Sequence, residues 1–233
     1  MARSHIHEWS FDMYHNLSIQ SVIFDMDGLL IDSEPFWAQG EREIFTQLGI
    51  DLSIADKLPD TLGLRIDHVV ELWYHASPWQ GHSLKEVEQM IIDRVIGLVE
   101  EQRPLLPGVH HALELCRSMG LNIALASASP QYMLEKVLNL FEIRDYFSAV
   151  VSAADLPHSK PHPEVYLNAA ALLETKPIHC VSLEDSFNGM IAAKAARMRS
   201  IVVPDQQHFH DPRWGLADVK LASLNELTEK YLR

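Results

Sequence analysis

Short apolar runs alternate with stretches of helical periodicity along most of the chain. Residues 21–24, 121–126, 149–152, 180–183, 201–203 and 219–221 read as strands buried on both faces. Between them, residues 108–119 put Val109, Ala112, Leu113 and Cys116 on one helical face and stop at Gly120, a residue suited to a left-handed C-terminus. Ser129 ahead of Pro130 reads as an N-cap and first-turn proline, with Met133, Leu134, Val137 and Leu138 as the stripe behind it. Residues 164–173 and 186–198 continue the alternation. Strand–helix–strand repetition predicts an α/β, Rossmann-like core, a parallel sheet with helices on both faces.

One segment breaks this rhythm. From Ser33 to Arg103 the pattern is helical only: Trp37, Ile44, Phe45 and Leu48 lead to Gly49, and Ser83 with Glu86 forms a capping box ahead of Leu84, Val87, Ile91, Val95 and Leu98. The expectation is an inserted all-helical module over residues 33–103, a core built from residues 18–32 and 104–233, and an N-terminal tail over residues 1–17. His5, His7 and His15 in that tail have no standard metal-ligand spacing, and a frayed polar terminus is the plainer reading.

Composition narrows the function classes. At 47% hydrophobic and 22% charged residues the chain is foldable, which excludes wholesale disorder. Nineteen basic against thirty-two acidic residues give a net charge of −13, which argues against nucleic acid or an anionic membrane as partner. A phosphorylated ligand would therefore need a locally positive pocket. No stretch approaches the length of a membrane span, and the first residues lack the apolar segment of a secretion signal. Cys116 and Cys180 form no disulfide framework and read as small buried hydrophobes in a reducing, cytoplasmic setting. Nothing in the pattern calls for more than a monomer.

The chemistry-bearing residues fall at predicted strand ends. Phe24-Asp25-Met26-Asp27-Gly28 closes the first strand, and in an extended chain Asp25 and Asp27 point to one side. The carboxyl end of a parallel sheet is where ligands bind. Two adjacent acids there call for a divalent cation or a raised pKa, although surface acids at a strand end are the alternative. Ser127 follows Ile123-Ala124-Leu125-Ala126 just before a helix, a place for a phosphate or simply a turn. Lys160, between Ser159 and Pro161 ahead of a second proline, is either a fixed counter-ion or a solvated charge. Glu184-Asp185 is a second acidic pair, able to cap the next helix, ligate a metal, or both. Mg²⁺ suits this oxygen-only set better than zinc.

Taken in order, FDMDGLLIDSEP, ALASASP, SKPHPEVY and LEDSFNGM resemble the haloacid dehalogenase superfamily, specifically its phosphatase branch with a helical cap, over residues 20–233. The resemblance implies that Asp25 is a nucleophile forming an aspartyl-phosphate. It makes Asp27 the acid–base residue, protonating the leaving alkoxide and then activating water. It assigns Mg²⁺ to Asp25, Asp185 and the backbone oxygen of Asp27, with Glu184 in or next to the ligand set. It gives the phosphoryl oxygens to Ser127, Lys160 and the N–H of Ala128, and it points to Asn188 as a support for the Asp185 loop. Fixed cations are what an anionic nucleophile needs to approach an anionic phosphate.

The cap would then read the rest of the substrate. Within Thr61-Leu62-Gly63-Leu64-Arg65, Arg65 is one specificity candidate and Trp37 the other, Trp37 having a cap-core role as its alternative. His68, Trp73, Tyr74 and Trp79 read as cap core or surface. The substrate class implied is hexose or hexitol phosphates, such as 2-deoxyglucose 6-phosphate, sorbitol 6-phosphate and mannitol 1-phosphate. A β-phosphoglucomutase-like transferase shares the core motifs, but those mutases carry a histidine ten residues after the acid–base aspartate, where this chain has Trp37. Dehalogenation needs neither the second aspartate nor the metal, and a non-catalytic sensor would be expected to lose Asp25 or Asp27.

Overall fold

Val22, Ile23 and Phe24 are fully buried because β1 (Ser21–Phe24) lies inside a parallel sheet, hydrogen-bonded to β2 (Asn122–Ser127) on one side and β4 (Cys180–Glu184) on the other. This computed structural model describes residues 18–59, 61 and 64–233, so the tail expected over residues 1–17, with His5, His7 and His15, lies outside the described residues. With β3 (Ala149–Ser152), β5 (Arg199–Val202) and β6 (Val219–Lys220), the sheet order is β3-β2-β1-β4-β5-β6, every neighbouring pair parallel. The chain winds outward from β1 through β2 to β3, then crosses back to β4 and winds the other way. That reversal leaves a crevice at the carboxyl end of β1.

Side chains alternate strictly between two apolar layers. Val22, Phe24, Leu125 and Leu183 join the layer that also holds Val109 and Leu113 of α4 (Val109–Ser118) and Leu134 and Leu138 of α5 (Gln131–Leu140). Ile23, Ala124 and Ala126 face the other layer, with Ala169 and Ala170 of α6 (Glu164–Leu172) and Ala192 and Ala193 of α7 (Phe187–Ala195). Small residues let those two helices approach the sheet closely. The fold is thus the expected Rossmann-like α/β core with a helical cap.

Between β1 and α4 the described residues are helical: α1 (Glu34–Gln47), a 3-10 turn (Leu52–Lys57), α2 (Ile66–Ala76) and α3 (Leu84–Gln102). The Ser83–Glu86 capping box forms as predicted. Phe45 stacks on Trp73 at 4.5 Å and Tyr74 meets Trp79 edge-on, so these aromatics hold the cap together, whereas His68 is exposed. The chain enters and leaves this module side by side: Asp32 N–H donates to Pro104 O at 2.8 Å and Leu106 N–H to Leu30 O at 2.9 Å.

Two expectations need correction. Ser129 does not cap α5: Pro130 holds the N-cap position, and the Ser129 hydroxyl turns to Asp27 instead. The helix expected over residues 186–198 is shorter, with Ser186 as its N-cap accepting from Gly189 N–H, and the chain turns at Arg197 with φ of 64° to begin β5 at Arg199.

Candidate active site

The register places Phe24 opposite both Leu125 and Leu183, so Asp25, Ser127 and Glu184 emerge at nearly one level. Asp25 is anchored there by its N–H, which donates to Leu183 O at 3.0 Å. Lys160 comes in from the loop between β3 and α6 and is only 4% exposed. Its Nζ donates to Glu184 Oε1 at 2.6 Å and lies 3.0 Å from Asp25 Oδ1. Glu184 is fully buried; the Tyr166 hydroxyl also donates to Oε1, and Ser186 donates to Oε2 through Oγ at 3.1 Å and N–H at 3.4 Å. The lysine is therefore a fixed counter-ion held by Glu184, and the solvated alternative is excluded.

Asp27 is gripped at both oxygens. Ser33 Oγ (2.7 Å) and Trp37 Nε1 (3.0 Å) donate to Oδ1, while Ser129 Oγ (2.7 Å) and Ser127 Oγ (3.3 Å) donate to Oδ2. Two of these donors belong to the entrance of the cap and two to the end of β2 and the loop that follows it, so one carboxylate ties both together. Sequence alone reads Ser129 as a helix cap and Ser33 as the start of the insertion, and only the fold shows that both hydroxyls turn to Asp27.

Asp25, Asp27, Ser127, Ala128, Lys160 and Asp185 share a cavity of about 260 Å³ with Trp37 and Arg65. Its cap wall also carries Glu34, Ala38 and Glu41, which with Trp37 occupy positions i, i+3, i+4 and i+7 of one helix face. That spacing was visible in the sequence, but the apolar stripe of the same helix drew the reading. Burial raises the carboxyls of Glu34 and Glu41 to about 7, Asp27 adding to the effect at Glu34. Arg65 has four of its five N–H groups in use. Nε and Nη2 hold Asp67 at 2.7 and 2.6 Å, and Nη1 donates to Ala153 O at 2.9 Å and Leu156 O at 2.7 Å. It clasps the start of α2 to the core loop that leads on to Lys160. Leu62 and Gly63 of its own loop lie outside the described residues. Asn188 lines a neighbouring groove and makes no hydrogen bond to Asp185 among the described residues.

Asp25, Glu184 and Asp185 bring ligand oxygens within 4.8 Å of one another. Asp25 Oδ1 is buried with the Lys160 ammonium 3.0 Å away, and a Cβ on Gly28 would lie 1.9 Å from Asp185 Oδ2, so that carboxylate sits where only glycine leaves room. Burial first, then the Glu184 charge, raises Asp25 to about 8, with Lys160 pulling the other way. Burial followed by the Asp25 and Glu184 charges raises Asp185 well above the usual carboxylate range. Burial opposes the charge of Lys160, but Asp25 and Glu184 together outweigh it and keep the ammonium protonated. One lysine among three acids leaves an excess of negative charge, and an oxygen-only donor set of this kind fits a hard divalent cation. The Asp27 side chain, occupied by its four donors, is outside this group; its expected contribution is a backbone oxygen.

Comparison with known proteins agrees with the motifs. The family model of haloacid dehalogenase-like hydrolases matches residues 19–197, so the chain belongs to that family and is an enzyme. Hexitol phosphatase B of Escherichia coli K12 is 61% identical over 214 residues, which cover 92% of this chain and 96% of that protein. Among solved structures, β-phosphoglucomutase from Clostridium difficile superposes with a TM-score of 0.77 at 24% identity over 92% of this chain and 95% of that one. CbbY of Rhodobacter sphaeroides, solved with xylulose 1,5-bisphosphate, gives 0.76 at 24% identity over 90% and 96%. At that identity the two structures speak for the fold alone.

Two outcomes follow from this geometry. An acid whose folded pKa is raised costs stability as pH climbs from its unfolded value of 3.8 towards 8, because the folded state keeps the proton longer. In EDTA at pH 8, Asp25→Asn should therefore unfold at a higher temperature than the wild type, and the gap should close towards pH 4; calorimetry across that range checks it. Arg65→Ala should lower kcat/KM about tenfold or more for sugar and aryl phosphates alike, since charged hydrogen bonds joining the cap to the core are lost. Loss confined to sugar phosphates in steady-state assays would show that the clasp is dispensable and that Arg65 reads the sugar.

Proposed function

We propose that this hydrolase is a Mg²⁺-dependent phosphatase of hexose and hexitol phosphates that works through an aspartyl-phosphate on Asp25. Residues 33–103 act as its cap domain, and residues 18–32 and 104–233 as its core. The observation that carries the chemistry is the buried Lys160, set between Asp25 and Glu184 on the floor of a cavity. The substrate class rests on the 61% identity to a hexitol phosphatase. We further propose that it works as a monomer in the cytoplasm; its two cysteines are free and buried.

Asp25, Asp185 and the backbone oxygen of Asp27 would hold Mg²⁺, with Glu184 behind them because its oxygens already serve Lys160, Tyr166 and Ser186. When bound, the ion would supply the positive charge that makes Asp25 an anion and offsets its repulsion with phosphate. Lys160, Ser127 and the N–H of Ala128 hold the phosphoryl oxygens, and Asp25 Oδ attacks phosphorus in line with the leaving alkoxide. Asp27 gives that alkoxide its proton. The indole N–H of Trp37 can only donate, whereas the hydroxyls of Ser127 and Ser129 can turn and accept. The mobile proton therefore belongs on Oδ2, the oxygen that faces the two serines. Asp27 then takes a proton from the water that hydrolyses the acyl phosphate, completing a cycle that a mutase would divert to a second substrate hydroxyl.

Phosphate release from a panel of sugar and polyol phosphates, run with Mg²⁺ and with EDTA, tests this reading. Hexitol and hexose phosphates should be turned over only with the metal. Asp25→Asn should abolish turnover, because an amide cannot form the acyl phosphate. Asp27→Asn should slow sugar phosphates about 100-fold or more, the scale of a lost general acid, and spare phosphorylation by an aryl phosphate, whose leaving group needs little protonation. A folded Asp25→Asn protein that still releases phosphate at the wild-type rate would overturn the mechanism.

A further inference from the structure

The core floor accounts for the phosphoryl group, which leaves the cap wall to meet the rest of the substrate. Two carboxylates line that wall from one face of α1, Glu34 and Glu41, seven residues apart. Both are only partly exposed, and neither has a hydrogen-bond or ion-pair partner among the described residues, although every other helix-face neighbour in the cavity is apolar or already bonded. A shielded carboxylate without a protein donor is an acceptor in want of one. The cavity holds two cations, Lys160 and Arg65. Lys160 lies on the floor between Asp25 and Glu184, and Arg65 has four of its five donors committed to Asp67, Ala153 and Leu156. The cap wall of the pocket is therefore rich in acceptors, with Glu34 near enough to Asp27 and Asp185 to feel their charges.

We infer that Glu41, with Glu34 beside it, is the specificity-determining acceptor for the substrate's hydroxyls, and that the same pair rejects molecules carrying a second anionic group. A neutral polyol or sugar chain presents hydroxyl donors that these carboxylates can accept. Above about pH 7, where both carboxyls ionise, a second phosphate or a carboxylate would arrive against two like charges in a confined, poorly screened space. The pair thus separates a monophosphatase from enzymes of the same fold that must seat a bisphosphate, which is a distinction the core motifs cannot make.

This inference rests on the sugar-phosphate reading above, and the test separates the two. Wild type, Glu41→Gln and Glu41→Ala are assayed with Mg²⁺ well above pH 7, where Glu41 is ionised, on sorbitol 6-phosphate, fructose 1,6-bisphosphate and 4-nitrophenyl phosphate. Glu41→Ala should lower kcat/KM for sorbitol 6-phosphate about tenfold more than for the aryl phosphate, the scale of one hydrogen bond to a charged group. Glu41→Gln keeps the shape and removes the charge, so the ratio of bisphosphate to monophosphate kcat/KM should rise about tenfold. Equal changes on all three substrates, in protein whose aryl phosphatase activity shows it folded, would overturn the inference and leave the sugar-phosphate reading standing. If the wild type hydrolyses only the aryl phosphate, that reading fails, and the assignment of Glu41 fails with it.

Discussion

The site depends on one buried ammonium. Lys160 stands between Asp25 and Glu184, all three almost wholly shielded from water, and removing the lysine would leave buried carboxylates uncompensated at a cost of about 3–5 kcal/mol. Much of the surrounding structure serves to satisfy it. Tyr166 and Ser186 complete the hydrogen bonds of Glu184, and Gly189 leaves the room that Glu184 occupies, since a Cβ there would lie 1.9 Å from its carboxylate. Gly28 does the same for Asp185. The parallel sheet contributes the rest, by delivering β1, β2 and β4 to one edge in register.

Around that fixed centre, the cap is tied to the core from two directions. Trp37 and Ser33 reach Asp27 from the start of α1, and Arg65 reaches the carbonyls of Ala153 and Leu156 from the start of α2. Both ties end on groups next to the chemistry: Asp27 itself, and the loop that carries Lys160. A cap that moved away would take two of the four donors from Asp27 and free the carbonyls of Ala153 and Leu156, while Lys160 would stay held by Asp25 and Glu184 within the core. This also changes the meaning of Trp37. In place of the histidine expected of a mutase stands a ring whose N–H can hold the aspartate but cannot relay its proton.

Fold and catalytic floor were legible in the chain for a common reason: each depends on local pattern. Six short apolar runs marked the six strands to within about two residues, and a helical stretch with a capping box marked the insertion. Asp25, Lys160 and Asp185 were legible because each stands at a strand end or in a proline-braced turn, where a parallel sheet gathers its ligands. Ser129 misled for the opposite reason. A serine before a proline satisfies the local rule for an N-cap, but the helix starts one residue later with Pro130 at its N-cap, and the Ser129 hydroxyl donates to Asp27, 102 residues away in sequence.

What the sequence determined by itself was therefore the set of elements, their order, and the acids and lysine that meet in the cavity, because hydrophobic period and motif order are properties of neighbouring residues. Only the tertiary structure decided the partnerships: that Arg65 braces a core loop as well as lining the cavity, that Trp37 and Ser129 hold Asp27, and that Glu34 and Glu41 line the cavity with no donor among the described residues. Each of these is a matter of which oxygen lies within 3 Å of which hydrogen across long stretches of chain, and no spacing along the backbone encodes that distance until the sheet and cap have packed.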